Sequence, residues 1–351
     1  MKINKASTST VICCLGFLLI GGCLDINTTS EVKSDGTIVR TITFTGDSSE
    51  VYAGNLPVEL DSLWSKSTVK TSERKYTLTA TRTFRSVDEM NKTVAGRVGK
   101  TLQYRIAFDR SFRWFFTVYR YEETNLPFAQ FTSIPVTGYL SKEEIEWFKT
   151  KILNDELEKG KMTLEDSLKS EQIKPRAEEW ISRNRFEPFF LAFRSGVAAL
   201  NDPALSTATV ESLKDTLYLH SAEAIDANKL DTLHMIFRHV LKTPAAEKAW
   251  QASAPAIDEI KRKMEFEQSV GSHNYVTSVI MPGLITGSNA RKLEANKATW
   301  QEYLGLSSYF EYTMWVESRQ VNWWAVIVAV VVIFLLAAAL VFSALRRRRA
   351  S

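Results

Sequence analysis

Beyond residue 23 the chain has no cysteine; its three lie at positions 13, 14 and 23. Residues 24–322 therefore hold no disulfide, no cysteine nucleophile and no thiolate metal site. Histidine is nearly as scarce, at four residues. His234 and His239 stand five apart, about 140° around a helix, so they cannot share a metal as i,i+4 residues do. Asp231 and His234 share a face and read as a surface pair, and no metal or other cofactor is expected. An excess of one charge is also missing. Lys2, Lys5 and Arg346 to Arg349 belong to terminal segments, and without these six the 44 basic residues become 38 against 40 acidic. That balance leaves no basic footprint for nucleic acid. Catalytic signatures are lacking too, with no GxSxG and no HExxH. SxxK occurs at Ser30/Lys33, Ser67/Lys70 and Ser72/Lys75 without its SDN and KTG partners. Gly96-Arg97-Val98-Gly99-Lys100-Thr101 resembles a phosphate loop, but Val94 stands where its first glycine must be. A non-catalytic protein is the expectation.

What is present is concentrated at the ends. Lys2 and Lys5 precede a ten-residue apolar run, Val11 to Ile20, which is long enough for a signal peptide and too short to span a bilayer. Ile20-Gly21-Gly22-Cys23 then resembles a bacterial lipobox: small residues let the backbone lie close to a peptidase, and the Cys23 thiol accepts the lipid. An ordinary signal peptide with an incidental cysteine is the alternative. At the other end, Trp323 to Leu345 carries no charge. As a helix it is about 34 Å long, against a hydrocarbon core of about 30 Å. Trp323 and Trp324 suit the interface, and Arg346, Arg347, Arg348 and Arg349 place the C-terminus in the cytoplasm. A cleaved sorting tail is the rival, although no sorting motif precedes the span. The expected location is the cell membrane, single-pass with a lipid-anchored N-terminus and an ectodomain in the periplasm or outside the cell. Pinned at both ends, that ectodomain is expected to lie flat on the lipid surface.

Between the ends the hydrophobic period changes twice. Asn27 to Thr45 reads as a hairpin around Asp35-Gly36, a dipeptide favoured where both turn residues take positive φ. Tyr76, Leu78, Ala80 and Phe84 alternate with threonines, as in a half-buried strand. Ser86 and Glu89 open a short helix carrying Met90. Leu102, Tyr104, Ile106 and Phe108 share a strand face, and Phe116 and Val118 mark the next strand. From a second capping box at Ser141/Glu144 the period is helical, with a stripe at 186, 189, 190, 193, 197 and 200 and Pro188 in a first turn. Strands return at Tyr275 to Thr286, around Trp300 and at Tyr309 to Val316. The expected fold class is α+β: an antiparallel sheet from N- and C-terminal segments with a large helical insertion, plus one C-terminal transmembrane helix. The boundaries read as 1–22 signal peptide, 23–138 β-rich, 139–270 helical insertion, 271–320 β-rich and completing the sheet, 323–345 span, and 346–351 cytoplasmic tail.

Arg113 to Tyr119 has apolar residues on both strand faces, which happens when a sheet is covered on each side or lines a cavity. An apolar cavity between sheet and helices, drawing on Trp114, Phe116, Phe189, Phe190 and Phe193, would suit an acyl chain. Met281-Pro282-Gly283, Ser288-Asn289-Ala290 and Trp300, followed by a strand and a span, resemble the end of LppM-like bacterial lipoproteins. The lipobox, the Asp35-Gly36 turn and Phe84-Arg85-Ser86 resemble their start. The likeness covers 24–122 and 273–345, and the helical middle has no counterpart. It implies a sheet-and-helix fold that binds envelope lipid or glycolipid. A scaffold that offers the insertion to a membrane protein partner is the second reading, and an envelope hydrolase the third.

Overall fold

The computed structural model describes residues 24–52, 56–95, 102–149, 163–302 and 308–350. Eleven strands lie among them: β1 (Asp25–Val32), β2 (Ile38–Asp47), β3 (Ser65–Lys70), β4 (Lys75–Phe84), β5 (Tyr104–Arg113), β6 (Phe116–Asn125), β7 (Asn274–Ile280), β8 (Leu284–Ser288), β9 (Lys292–Glu294), β10 (Lys297–Glu302) and β11 (Tyr312–Val321). The helices are α1 (Ser48–Tyr52), α2 (Val87–Ala95), α3 (Lys142–Phe148), α4 (Leu164–Leu200), α5 (Thr207–Ser212), α6 (Lys214–Asp226), α7 (Leu233–Leu241), α8 (Ala245–Ala252) and α9 (Ala254–Gly271). A last helix, Trp323–Ala350, follows β11 after one residue. The chain is thus α+β, with a helical segment set between β-rich segments.

The expected single sheet is two. One has the order β3-β4-β2-β1-β7-β10-β9 and the other β5-β6-β11-β8. β1 joins the chain's two β-rich segments, pairing antiparallel with β2 and parallel with β7. A parallel pair needs a long crossover, and the helical insertion supplies it. Apolar side chains from both sheets meet in one core that includes Ile26, Phe44, Phe84, Tyr121, Val279, Trp300 and Val316. The two sheets therefore form a sandwich with period-2 burial on their facing sides.

Local readings need correction where the chain turns. The β1–β2 turn spans five residues, since Val32 pairs with Ile38. Of its residues only Gly36 takes a positive φ, while the Asp35 carboxylate accepts from Thr37 N at 2.9 Å. Tyr275 to Thr286 is two strands in different sheets, because the chain changes sheet at Pro282-Gly283. Gly283 has φ +80, and a Cβ there would lie 2.3 Å from the Arg319 carbonyl oxygen, so glycine is required twice over. Ser288-Asn289-Ala290 then locks the switch. Asn289 Oδ1 accepts from Trp300 Nε1 at 3.1 Å and from Trp315 N at 2.9 Å, and its Nδ2 donates to Thr313 O at 2.8 Å. Pro188 sits deep inside α4, a 37-residue helix that begins upstream of the stripe. The Ser141/Glu144 capping box is formed and opens α3.

The helical core is built on α4. Phe186, Phe189, Phe190 and Phe193 are buried on it and pack with Leu217, Leu233 and Phe237. Each such ring contributes roughly 1.5–3 kcal/mol on burial. Gly196 lets α8 approach, for a Cβ there would fall 2.4 Å from the Ala249 carbonyl oxygen.

The strand directions also separate the two ends of the sandwich. Pro282, eight residues past the start of β7, accepts from Ser318 Oγ at 2.8 Å. Five residues further along β11 the terminal helix begins. At roughly 3.3 Å per residue these thirteen residues place the start of β1 about 40 Å from Trp323 along the strands.

Candidate functional site

Across the sandwich one inward row breaks the apolar pattern. Arg82, Arg40 and Ser30 lie side by side on β4, β2 and β1. Arg40 is 4% exposed, and its guanidinium grips Glu123 of the other sheet through two bonds, at 2.7 and 3.0 Å. Tyr121 Oη donates to the same carboxylate at 2.8 Å, and the Tyr104 ring lies 4.4 Å from the guanidinium carbon. Burial alone would discourage the charge on Arg40, yet the facing carboxylate together with the Tyr104 and Tyr121 phenols outweighs it and raises the guanidinium's pKa. Burial, then the Glu123 charge, likewise holds the Tyr121 phenol well above its usual range. Arg82 pairs with Asp61 at 3.0 Å at the edge. Charged groups from both sheets that satisfy one another across the interior act as a clamp between the sheets.

The residues expected to line one apolar cavity fall in three places. Phe189, Phe190 and Phe193 are fully buried in the helical core, where neighbouring side chains fill the space around them. Phe116 lies outside the sandwich, because Thr117, Tyr119, Tyr121 and Glu123 take the inward positions of β6. Its ring is covered by Arg319 at 4.8 Å. Trp114 is half-exposed at the β5–β6 turn. The inward face of β6 carries a buried glutamate and two tyrosines, so the apolar Phe116 and Val118 take the other face. Cys23 and the Gly96 to Thr101 stretch lie outside the described residues. Trp323 and Trp324 open the terminal helix, which also contains Arg346 to Arg349. Among the described residues this helix alone is long and apolar enough to cross a membrane.

A cleft of about 270 Å³ does open where the helices meet the sandwich. Its apolar walls are Phe128, Ile225 and Met264, and its charged ones Arg185, Asp226 and Glu267. Arg185 Nε is buried and donates to no described residue. Glu267 accepts from Gln130 N, and burial holds its carboxyl above the ordinary value, with Arg185 working against that shift. Beside them the Tyr309 phenol is pushed up to about 12 by burial. The guanidinium already faces the Tyr309 phenol and the Glu267 carboxyl, and its unpartnered Nε leaves a place for one further acceptor. Among the described residues no three His, Cys, Asp or Glu side chains converge on a point where a metal would sit. Sequence reasoning missed this site, although a signal existed: Glu267 continues the apolar stripe Ile257, Ile260, Met264 of α9, a charge on an inward face.

The cleft has a definite place in the fold. Gly271 and Ser272 form part of its rim. Two residues later, Asn274 N donates to Leu24 O at 3.0 Å, at the start of β1. The cleft is therefore at the Leu24 end of the sandwich. At the other end, β11 runs into the terminal helix through Asn322. Asn322 N donates to Phe115 O at 2.8 Å, its Nδ2 donates to Trp114 O at 2.9 Å, and its Oδ1 accepts from Thr117 Oγ1 at 2.9 Å. Trp114 takes φ +40 in this two-residue turn, a left-handed conformation that costs a non-glycine residue roughly 1–2 kcal/mol.

No family model matches the chain, and no curated protein matches it. Among solved structures, the folded domain of LppM from Mycobacterium tuberculosis, determined by NMR, matches over 86% of this chain and 91% of that one. The two are 7% identical, with a TM-score of 0.29.

Proposed function

We propose that this chain is a membrane-anchored, non-catalytic extracytoplasmic binding protein whose cleft takes the polar headgroup of an envelope lipid or glycolipid. The observation that carries this reading is Arg185, whose buried Nε lacks an acceptor at the wall of a cleft with both apolar and charged sides. The amphipathic lining favours a ligand that is itself polar and apolar. The cleft's place favours one that comes from a bilayer. With Cys23 lipidated and the terminal helix spanning, the two attachments lie about 40 Å apart along the strands. Both are met when the strands lie along the membrane, which holds the cleft rim near the lipid surface. Partner binding by the insertion is the second reading, carried by Leu164 and Leu168, which stand exposed one turn apart on α4.

The test is native mass spectrometry of the full chain extracted from bacterial membranes in mild detergent. A bound lipid is expected on the unsubstituted chain, lost in Arg185→Gln and in Ser272→Trp, whose exposed rim position leaves the core untouched. An unsubstituted chain that carries nothing, or a ligand retained by both variants, refutes the cleft.

A further inference from the structure

The β5–β6 hairpin ends in an unusual way for a turn that faces water. Phe112, Trp114 and Phe115 are 54, 52 and 45% exposed, and Val321 beside them is 47% exposed. A two-residue turn that needs a positive φ at its first position ordinarily takes glycine there, yet the chain keeps Trp114 in that conformation. Strain held in place by a large exposed ring points to a use for the ring.

The surroundings of the tip say what it meets. Trp324, the second residue of the terminal helix, stacks on Phe112 at 6.0 Å and 9° and meets Trp114 edge-on at 6.0 Å. With the three hydrogen bonds of Asn322, these contacts hold the tip level with the start of that helix. A spanning helix that opens with two tryptophans starts in the headgroup layer, where amphipathic rings partition. The exposed arginines Arg113 and Arg319 stand around the tip, as cations do where phosphates are near.

We infer that the tip of this hairpin is a second membrane contact, with Trp114 and Phe115 seated in the headgroup layer of the bilayer that the terminal helix crosses. This rests on the reading of Trp323 to Leu345 as a span. A helix joined to the ectodomain through one residue leaves the ectodomain free to tilt at that junction. A second contact beside it limits the tilt and so helps to fix which side of the sandwich faces the lipid.

The experiment uses the full chain, with Cys13, Cys14 and Cys23 changed to serine, in phosphatidylcholine–phosphatidylglycerol vesicles that carry nitroxide-labelled lipid. An environment-sensitive fluorophore is attached at Phe115→Cys, at Arg105→Cys at the far end of β5, or at Val328→Cys in the span. The Phe115 label is expected to be blue-shifted and quenched by shallow nitroxides at least twofold more than the Arg105 label. Adding Trp114→Gly, which relieves the turn, should remove most of that difference while the fold remains. A Phe115 label as water-exposed as the Arg105 label, with the Val328 label quenched by deep nitroxides, overturns the inference alone. An unquenched Val328 label overturns the span and the inference with it.

Discussion

Replacing Glu123 with alanine strands a guanidinium that is 4% exposed inside the sandwich. Arg40 loses both bonds to the carboxylate, and Tyr121 Oη loses its acceptor in the same step. Breaking one partner of a buried pair costs about 3–5 kcal/mol, because the remaining charge is left uncompensated. Against a typical stability of about 5–15 kcal/mol that is a large share. For a domain of this size each kcal/mol lowers the melting temperature by about 2–4 °C, so a fall on the order of 10 °C is expected. The assay is thermal unfolding of the full chain in detergent, followed by near-ultraviolet circular dichroism, which reports the tertiary packing of the aromatic side chains. The decisive comparison is the double variant Arg40→Met/Glu123→Leu, which removes both charges and fills the space. It should recover most of the loss, since an apolar pair of similar volume is often as stable as the ions it replaces. A Glu123→Ala chain that melts within about 2 °C of the parent refutes the clamp. So does a double variant that melts no higher than the single one.

Other expectations follow from the same geometry. Burial keeps the Glu267 carboxyl above its ordinary value, so as pH rises the unfolded chain gives up its proton first and stability falls through that window, with the full penalty above it. Glu267→Gln should therefore raise the melting temperature near pH 7 and change it little near pH 4; the reverse order would contradict a desolvated carboxylate. Gly283→Ala places a methyl group against the Arg319 carbonyl at positive φ and should cost at least about 2 kcal/mol in a denaturant titration. Asn289→Ala orphans Trp300 Nε1 and Trp315 N and should cost about 2–4 kcal/mol, with Asn289→Asp recovering part because it still accepts from both.

Much of the local structure was legible because it depends on neighbours along the chain. The capping box at Ser141, the alternation in β4 and the stripe from Phe186 to Leu200 all appear as elements. So do the positions of the turn motifs, since Gly283 and Asn289 stand where the chain must cross between sheets and be locked there. The long helix was underestimated because Pro188 reads as a start, whereas in α4 it sits inside a helix held by packing along its length. Which face of β6 turns inward is not legible in the sequence, because Glu123 is inward only through Arg40, 83 residues earlier. No window of sequence contains both partners.

The sequence by itself determined the element types, the absence of any thiol chemistry past residue 23 and the apolar length of the terminal helix, since each follows from residue type and short-range spacing. Only the tertiary structure decided that the sheet is two sheets, that the phenylalanines of α4 are core, and that Arg185 and Glu267 meet in a cleft. Those outcomes depend on contacts between distant parts of the chain, such as the parallel pairing of β1 with β7 between residues about 250 positions apart. Sequence spacing carries no signal for such a pair, because its free energy comes from the surfaces it buries and not from the backbone near either strand.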